Sequence, residues 1–267
     1  MPVWTLYGLK RGVATNPWPQ GREAAQSGVL GMPRFHPERC NEGCTICAEV
    51  CLPGAIQMNR EHGDEKLTVD YGKCIVCQMC TEYCPEKAME KSEDWAFGVR
   101  KREDLLWAEA LNSPSAIELE NKIKSSFKRS LHIRHVDAGS CNGCESELQA
   151  LNNPYYNLHR LGIFFTPSPR FADLLLVTGT ITYAMREALL ETYNAMPEPR
   201  WVMATGTCAV SGGAVGGGYA CGHGVENLLP VDIYVPGCPP NPAAIVHALL
   251  LLLNRSSQHV QGGHFAK

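Results

Sequence analysis

Hydrophobic residues in the second half of the chain form short aliphatic runs that alternate with longer amphipathic stretches. The runs have the length of buried strands, and the stretches between them are long enough for helices. Alternation of this kind indicates a doubly wound, flavodoxin-like α/β sheet. The predicted strands are 131–136, 161–165, 173–178, 200–205 and 231–235, and the predicted helices are 145–152, 183–196 and 242–253.

Residues 1–35 show no sustained hydrophobic period, and the divisions of the first half follow composition. Two similar cysteine-rich halves form an internal repeat, which indicates an α+β double-cluster ferredoxin-like domain. The charged segment that follows predicts a helical linker, with its first helix near Arg100–Leu111 and a second helix beyond Asn112–Pro114. The polar end of the chain predicts a frayed tail. The predicted divisions are a docking arm (1–35), the ferredoxin-like domain (36–95), the helical linker (96–130), the α/β domain (131–255) and the tail (256–267).

Composition narrows the function classes. The 267 residues carry a net charge of −3, which provides no basic surface for nucleic acid. Thirteen cysteines is an odd number that argues against complete disulfide pairing, and Met1–Trp4 does not start a signal peptide. Reduced thiols that hold metal in a cytosolic compartment fit better. No apolar run approaches the roughly 18–20 residues that span a bilayer, so we expect a soluble or peripheral protein.

Four cysteines carry the bacterial ferredoxin spacing. They form the run Cys74-x2-Cys77-x2-Cys80-x3-Cys84, followed by Pro85. In proteins with two clusters, the first three cysteines of such a run bind one 4Fe–4S cluster and the fourth binds the other. The spacing is specific for this chemistry.

The first half of the repeat departs from this spacing. Cys40-x3-Cys44 contains one residue more than the ferredoxin run, and glycine at position 43 can absorb it because it tolerates positive φ. A normal 4Fe–4S cluster is expected here, with a zinc site or a degraded site as the alternatives. The crossed pattern predicts Cys40, Cys44, Cys47 and Cys84 as the ligands of one cluster, and Cys51, Cys74, Cys77 and Cys80 as the ligands of the other.

Four further cysteines follow predicted strands of the α/β domain. Cys141 and Cys144 follow the first strand, Cys208 the fourth and Cys238 the fifth. Loops at the carboxyl ends of parallel strands converge on one crevice, so these thiols can form the ligand set of a third cluster. A zinc site is the alternative, and the Cys-x2-Cys pair alone also fits a redox pair. Cys221 is left over and is expected to be a small core residue.

Several longer motifs resemble a known family. The segments Val136–Glu145, Ser168–Asp173, Met196–Trp201 and Val231–Pro240 are similar to the small subunit of membrane-bound nickel–iron hydrogenases of the formate hydrogenlyase type (group 4), and to the related 20 kDa subunit of respiratory complex I. Residues 1–95 resemble the two-cluster ferredoxin subunit of those complexes, the 23 kDa subunit of complex I. The chain therefore resembles a fusion of two subunits.

One detail separates the two families. Complex I subunits of this kind have adjacent cysteines where this chain has Cys141-x2-Cys144, and the gap is similar to that of hydrogenases. The resemblance then implies that Cys141, Cys144, Cys208 and Cys238 hold the proximal cluster, nearest a nickel–iron centre in a separate large subunit. The nickel-binding motifs of that large subunit are missing from this chain, so an electron-transfer subunit without a catalytic centre is implied.

The resemblance also implies partners and a location. The partners would be the hydrogenase large subunit and membrane-embedded subunits of the same complex, with a formate dehydrogenase or a ferredoxin as electron donor. The chain would lie peripherally on the cytoplasmic side of the cytoplasmic membrane. Two other functions stay open: a complex I-like, quinone-linked respiratory module, and a zinc-stapled scaffold without enzymatic function.

Glu145 is the remaining candidate site residue. It stands where a helix is predicted to begin, and the helix dipole stabilises a carboxylate there. The functional alternative is a proton relay at the interface with the large subunit.

Overall fold

The computed structural model describes residues 3–12, 29–61, 64–108 and 130–265. The second predicted linker helix, and the break before it, lie outside these ranges, as does the middle of the predicted docking arm. Near the start of the chain, helix α1 (Val3–Arg11) has no buried residue. No helix within the described ranges is both long and apolar enough to cross a membrane.

A five-stranded parallel sheet organises residues 131–252, so this part of the chain is a mixed α/β structure, as predicted. All five residues of strand β8 (Leu174–Thr178) and all five of strand β9 (Trp201–Thr205) are buried, as expected for central strands covered on both faces. The sheet order is β10-β9-β8-β6-β7. The strands are β6 (Leu131–Asp137), β7 (Ile163–Phe165), β8 (Leu174–Thr178), β9 (Trp201–Thr205) and β10 (Ile233–Val235).

The helices of this part of the chain follow the loops at the carboxyl ends of the strands. The last helix, α7 (Pro242–Leu252), is buried at every position. It starts after Asn241, whose side chain accepts a hydrogen bond from Ala244 N at 2.7 Å. The predicted bounds of every strand and helix in this part of the chain lie within two residues of the observed bounds. The short helix α6 (Thr207–Ser211) was not predicted. The helices are α4 (Gly143–Ala150), α5 (Tyr183–Asn194), α6 (Thr207–Ser211) and α7 (Pro242–Leu252).

The cysteine-rich region forms a small module of short elements. A hairpin of two antiparallel strands carries its sheet, and two short helices contact each other where the cysteine loops meet. Gly43 has φ +77°, the positive φ that the prediction for the first loop requires. The elements are α2 (Ile46–Glu49), α3 (Met79–Tyr83), β1 (Arg34–Phe35), β2 (Ile56–Glu61), β3 (Asp64–Asp70) and β4 (Met89–Glu90).

The predicted linker helix near Arg100–Leu111 is wrong over its described part. Val99 pairs with Tyr234 through two backbone hydrogen bonds of 3.0 and 2.9 Å, which extends the parallel sheet beyond β10. A 3-10 helix follows at Arg102–Leu105, and β5 (Leu106–Trp107) then pairs with β3. Two charged residues of this segment contact the two modules instead: Arg100 donates to Leu251 O at 2.7 Å in the α/β part, and Arg102 pairs with Asp70 in the cysteine-rich module.

The predicted frayed tail is also wrong over residues 256–265. Strands β11 (Val260–Gln261) and β12 (His264–Phe265) form a hairpin, and Val260 is fully buried. Gly263 packs on Trp107 so closely that a Cβ at position 263 would overlap the tryptophan, and its N–H donates to Asp104 O at 2.9 Å. The polar, glycine-rich composition therefore serves a tight turn against the segment that joins the modules.

Candidate functional site

All thirteen cysteines are free thiols. Twelve of them form three groups of four whose members act on one another electrostatically. Two groups lie in the small module, and the other lies at the carboxyl edge of the parallel sheet. They are called the first group (Cys40, Cys44, Cys47 and Cys84), the second group (Cys51, Cys74, Cys77 and Cys80) and the third group (Cys141, Cys144, Cys208 and Cys238).

The first group joins the loop before α2 to the residue that ends α3. Burial raises the pKa of Cys47 to about 11, and the charges of Cys40, Cys44 and Cys84 raise it further. Burial also raises the pKa of Cys40, followed by the charges of Cys44 and Cys84. The backbone N–H of Ala88 donates to Cys84 Sγ at 3.2 Å. The crossed spacing of the sequence is thus matched by thiols that act on one another electrostatically.

The second group contains one buried cysteine, Cys80, and one exposed cysteine, Cys77. Burial raises the pKa of Cys80 to about 12, and the charges of Cys74, Cys51 and Cys77 add to this effect. Burial likewise raises the pKa of Cys74 to about 12, against a hydrogen bond of 3.4 Å from Val76 N to its sulfur. These four residues are the second set that the repeat predicts.

The third group comes from three loops, each of which follows a strand of the parallel sheet. Cys141 and Cys144 follow β6, Cys208 follows β9, and Cys238 follows β10. Burial raises the pKa of Cys144 to about 12, followed by the charges of Glu145, Cys208, Cys238 and Cys141. The topology therefore brings together cysteines that are nearly 100 residues apart in the chain.

Glycines let the backbone approach the sulfurs of the third group. Gly206 has φ +91°, and a Cβ there would lie 2.6 Å from Cys144 Sγ. Gly213 has φ +61°, and its Cβ would lie 3.1 Å from Cys208 Sγ. Larger residues would push into the space between the thiols, so the loops are built to leave that space open.

The donor chemistry of the three groups fits iron–sulfur clusters. Each group offers four sulfur ligands, the number that a 4Fe–4S cluster requires. Burial and mutual repulsion oppose four free thiolates, whereas a bound metal deprotonates its thiols. Within the described ranges, no three His, Cys, Asp or Glu side chains are spaced to bind one metal ion together. A cluster spreads its ligands over several irons and sets them farther apart.

Glu145 belongs to a hydrogen-bonded network that the sequence did not predict. The Thr178 hydroxyl donates to Glu145 Oε1, and Ser140 Oγ donates to Oε2 at 2.8 Å. His135 Nε2 lies 2.8 Å from the Thr178 hydroxyl oxygen and must donate to it, because the single proton of that hydroxyl points to Glu145. Burial lowers the pKa of His135. Only the pairing of β6 with β8 places His135 and Thr178 together, so no local motif signals the network.

The expectation that Cys221 is a core residue is wrong. It is partly exposed, its thiol donates to Val215 O at 3.2 Å, and its backbone pairs with Thr182. Its charge also raises the pKa of Cys208, after burial and the charges of other cysteines in the third group. Cys221 therefore borders the third group without belonging to its four loop cysteines.

Two known families match the chain. Residues 141–252 match the family described as NADH ubiquinone oxidoreductase, 20 Kd subunit. Residues 29–88 match the 4Fe-4S dicluster domain. The first match contains the whole third group, and the second contains the whole first and second groups.

The curated proteins that are similar to this chain include the following two. Formate hydrogenlyase subunit 7 of Escherichia coli (strain K12) is 38% identical over 146 residues, which cover 55% of this chain and 57% of that protein. The uncharacterized protein MJ0516 of Methanocaldococcus jannaschii is 46% identical over 123 residues, which cover 46% of this chain and 82% of that protein. The chain thus spans little more than half of the first relative.

Solved structures with a similar chain include members of the following two complexes. The membrane-bound sulfane sulfur reductase, an archaeal respiratory membrane complex, has a chain 31% identical, with a TM-score of 0.43; the match covers 54% of this chain and 81% of that one. The NAD+-reducing [NiFe]-hydrogenase in the H2-reduced state has a chain 22% identical, with a TM-score of 0.39 and coverage of 49% and 95%.

Proposed function

Because the chain belongs to the family of the 20 kDa subunit of NADH ubiquinone oxidoreductase and also carries a 4Fe–4S dicluster domain, we propose that it is the electron-transfer subunit of a membrane-bound nickel–iron hydrogenase complex. It relays electrons through three 4Fe–4S clusters to or from a nickel–iron site in a separate large subunit. The observation that carries this proposal is the grouping of twelve thiols into three sets of four. The likeness to formate hydrogenlyase subunit 7 supports the choice of complex.

In this proposal each thiol group binds one cluster, and the third group binds the proximal one. When bound, a 4Fe–4S cluster supplies reversible uptake of one electron. The chain holds the clusters by its thiolates, of which Cys47 and Cys80 are buried. Backbone N–H groups at Val76 and Ala88 donate to ligand sulfurs, and such hydrogen bonds tune cluster potentials.

Glu145 is proposed as a proton carrier at the interface with the large subunit. The chain from His135 through Thr178 to Glu145 is continuous in hydrogen bonds, and the Glu145 side chain is only 12% exposed. Glu145→Gln should slow hydrogen-linked turnover while the proximal cluster keeps its paramagnetic resonance signal. A purely structural role would instead lower the stability of the protein and leave turnover per cluster unchanged.

The predicted division of the chain stays part of the proposal. A docking arm (1–35), a ferredoxin-like domain (36–95), a linker (96–130), a flavodoxin-like domain (131–255) and the tail (256–267) would form one peripheral subunit on the cytoplasmic side of the cytoplasmic membrane. Its partners would be the large subunit and membrane-embedded subunits, with a formate dehydrogenase or a ferredoxin as donor.

Metal analysis and one substitution test the proposal. The anaerobically purified chain should contain about twelve irons and a matching amount of inorganic sulfide, as three 4Fe–4S clusters require. Cys238→Ser should remove the signal of the proximal cluster and about four irons, while the clusters of the first and second groups remain. Cys221→Ser is the matched control and should keep all the iron. Zinc in place of iron would refute the proposal in favour of a scaffold.

A complex I-like, quinone-linked module is the second candidate, and the description of the matching family favours it. The two candidates share the three clusters and differ in the large subunit. Nickel in the complex that co-purifies with this chain would support the hydrogenase. Quinone reduction by a complex without nickel would support the alternative.

A further inference from the structure

One buried threonine connects the second thiol group to the third. The Thr207 hydroxyl donates a hydrogen bond of 2.8 Å to the backbone carbonyl oxygen of Cys74, which is 133 residues away in sequence. The backbone N–H of Gly237 donates to the same hydroxyl oxygen at 3.0 Å. Thr207 is 1% exposed and directly precedes Cys208, just as Gly237 directly precedes Cys238. A single side chain therefore contacts one ligand residue of the second group and both loops that supply the later ligands of the third.

The hydrogen-bond roles at Thr207 are fixed by counting protons. The Gly237 N–H can only donate, so the hydroxyl oxygen is its acceptor, and the one hydroxyl proton points to the Cys74 carbonyl. The backbone holds the side chain in place, because Thr207 N donates to Gly237 O at 2.9 Å and Gly206 N donates to Val235 O at 2.8 Å. The hydrogen bond from Gly237 N–H is buried and the one to the Cys74 carbonyl is partly buried, and such bonds are stronger than at a surface.

We propose that Thr207 is a positioning residue that sets the electronic contact between the cluster of the second group and the proximal cluster. This inference rests on the proposed function. One electron leaves the cluster bound through Cys74 and enters the cluster bound through Cys208 and Cys238; the first is oxidised by one electron and the second is reduced by one, or the reverse. Thr207 itself neither gains nor loses a proton or a bond.

The connection consists of covalent bonds and one direct hydrogen bond of 2.8 Å. From the Cys74 sulfur it runs through the side chain and carbonyl of that residue to the Thr207 hydroxyl, and from there along the backbone to Cys208. A second branch runs through the Gly237 amide to Cys238. Without the hydroxyl, the Cys74 carbonyl and the Gly237 N–H would both lose a buried partner, and the two modules would shift to find new ones. The distance between the two clusters would change with that shift.

Three single variants of the full chain, purified anaerobically with its clusters, test this inference. Thr207→Val keeps the shape and removes the hydroxyl, and Thr207→Ser keeps the hydroxyl. Thr205→Val is the matched control, because Thr205 is fully buried two residues earlier and its hydroxyl has no hydrogen-bond partner among the described residues. The first readout is the rate of electron equilibration between the two clusters after flash reduction. The second is hydrogen exchange of the peptide 235–240, measured with and without clusters.

Thr207→Val should slow equilibration several-fold, because the direct hydrogen bond between Thr207 and the Cys74 carbonyl is lost and the two modules shift to repair it. It should also speed exchange at Gly237 by about tenfold, the factor expected from one lost hydrogen bond. The peptide reports this amide well, because Pro236, Pro239 and Pro240 carry no amide proton. Thr207→Ser and Thr205→Val should behave like the wild type in both measurements.

The outcomes separate this inference from the proposed function. If Thr207→Val retains about twelve irons and equilibrates at the wild-type rate, the role of Thr207 is refuted and the proposed function stands. The same conclusion follows if Thr207→Ser is as slow as Thr207→Val, because the hydroxyl would then not matter. If the wild-type chain holds no proximal cluster, the proposed function itself fails. Faster exchange at Gly237 in the cluster-free Thr207→Val chain would still verify the hydrogen bond.

Discussion

Acidification should destabilise the protein through one buried histidine. His247 lies in α7 and is 1% exposed, and its Nε2 is 3.0 Å from Ser257 O. The rings of His259 and Trp95 are 4.7 and 6.2 Å away, centroid to centroid. Burial lowers the pKa of His247 to about 4, and the charge of His259 acts in the same direction, whereas the hydrogen bond to Ser257 opposes it. The folded protein therefore keeps this ring neutral well below the pH at which a free histidine is protonated.

The sign and size of the effect follow from the two pKa values. An unfolded histidine titrates near 6.5, so between about pH 6.5 and 4 the unfolded chain binds a proton that the folded chain does not bind. The stability is fully present above about pH 6.5 and is lost progressively as the pH falls towards 4. One pKa unit corresponds to about 1.4 kcal/mol, so the total loss is about 3 kcal/mol, of which about 2 kcal/mol is lost by pH 5.

Urea unfolding at pH 7.5 and pH 5.0 measures this effect. His247→Gln retains a side-chain amide that can donate to Ser257 O but has no group that titrates. Its free energy of unfolding should fall by about 2 kcal/mol less than that of the wild type between the two pH values. His132→Gln is the control at a histidine whose side chain is 42% exposed. The reasoning is refuted if the wild type and His247→Gln lose the same stability on acidification.

Three other changes test the packing around the sites. Asp70→Asn breaks the ion pair between Asp70 Oδ2 and Arg102 Nη2, which lie 2.7 Å apart on side chains that are 16% and 15% exposed. The free energy of unfolding in urea should fall by about 3 kcal/mol. An unchanged free energy of unfolding would contradict the role of this pair. Tyr71→Phe removes the buried hydrogen bond of 2.9 Å from the Tyr71 hydroxyl to Pro33 O and should lower the free energy of unfolding by about 1 kcal/mol. An unchanged urea midpoint would contradict this. Gly179→Ala places a Cβ 2.5 Å from the backbone of the loop before Cys141, so iron should be lost from the third group alone; full iron content would contradict it.

Sequence patterns predicted the parallel sheet and the first and second cysteine groups because these depend on local signals, and the third group followed from the predicted arrangement of the strands. A buried strand shows as an aliphatic run, and a loop that binds a cluster shows as fixed spacing between cysteines. The positive φ of Gly43 was predictable for the same reason, because the extra residue of the first cysteine loop stands beside it in the sequence. Whether all twelve cysteines bind iron stays a prediction that the metal analysis will test.

Long-range contacts account for what the sequence did not reveal. The segment around Val99 has the charges of an exposed helix, yet it becomes extended because the edge of β10 offers backbone partners. The turn at Gly263 looks like a polar tail until Trp107 is placed against it. Composition describes a segment by itself, whereas these two segments take their structure from surfaces that are distant in the sequence.

The covalent joining of the two modules gives the Thr207–Cys74 contact a particular consequence. In two separate subunits this hydrogen bond would form only on association and would weaken on dilution. Within one chain the modules meet at an effective concentration set by the connection between them, which is in the millimolar range for short linkers. The pairing of Val99 with Tyr234 and the ion pair of Arg102 with Asp70 hold them further. The spacing between the second and third groups is therefore a property of the folded chain, and it should not depend on protein concentration.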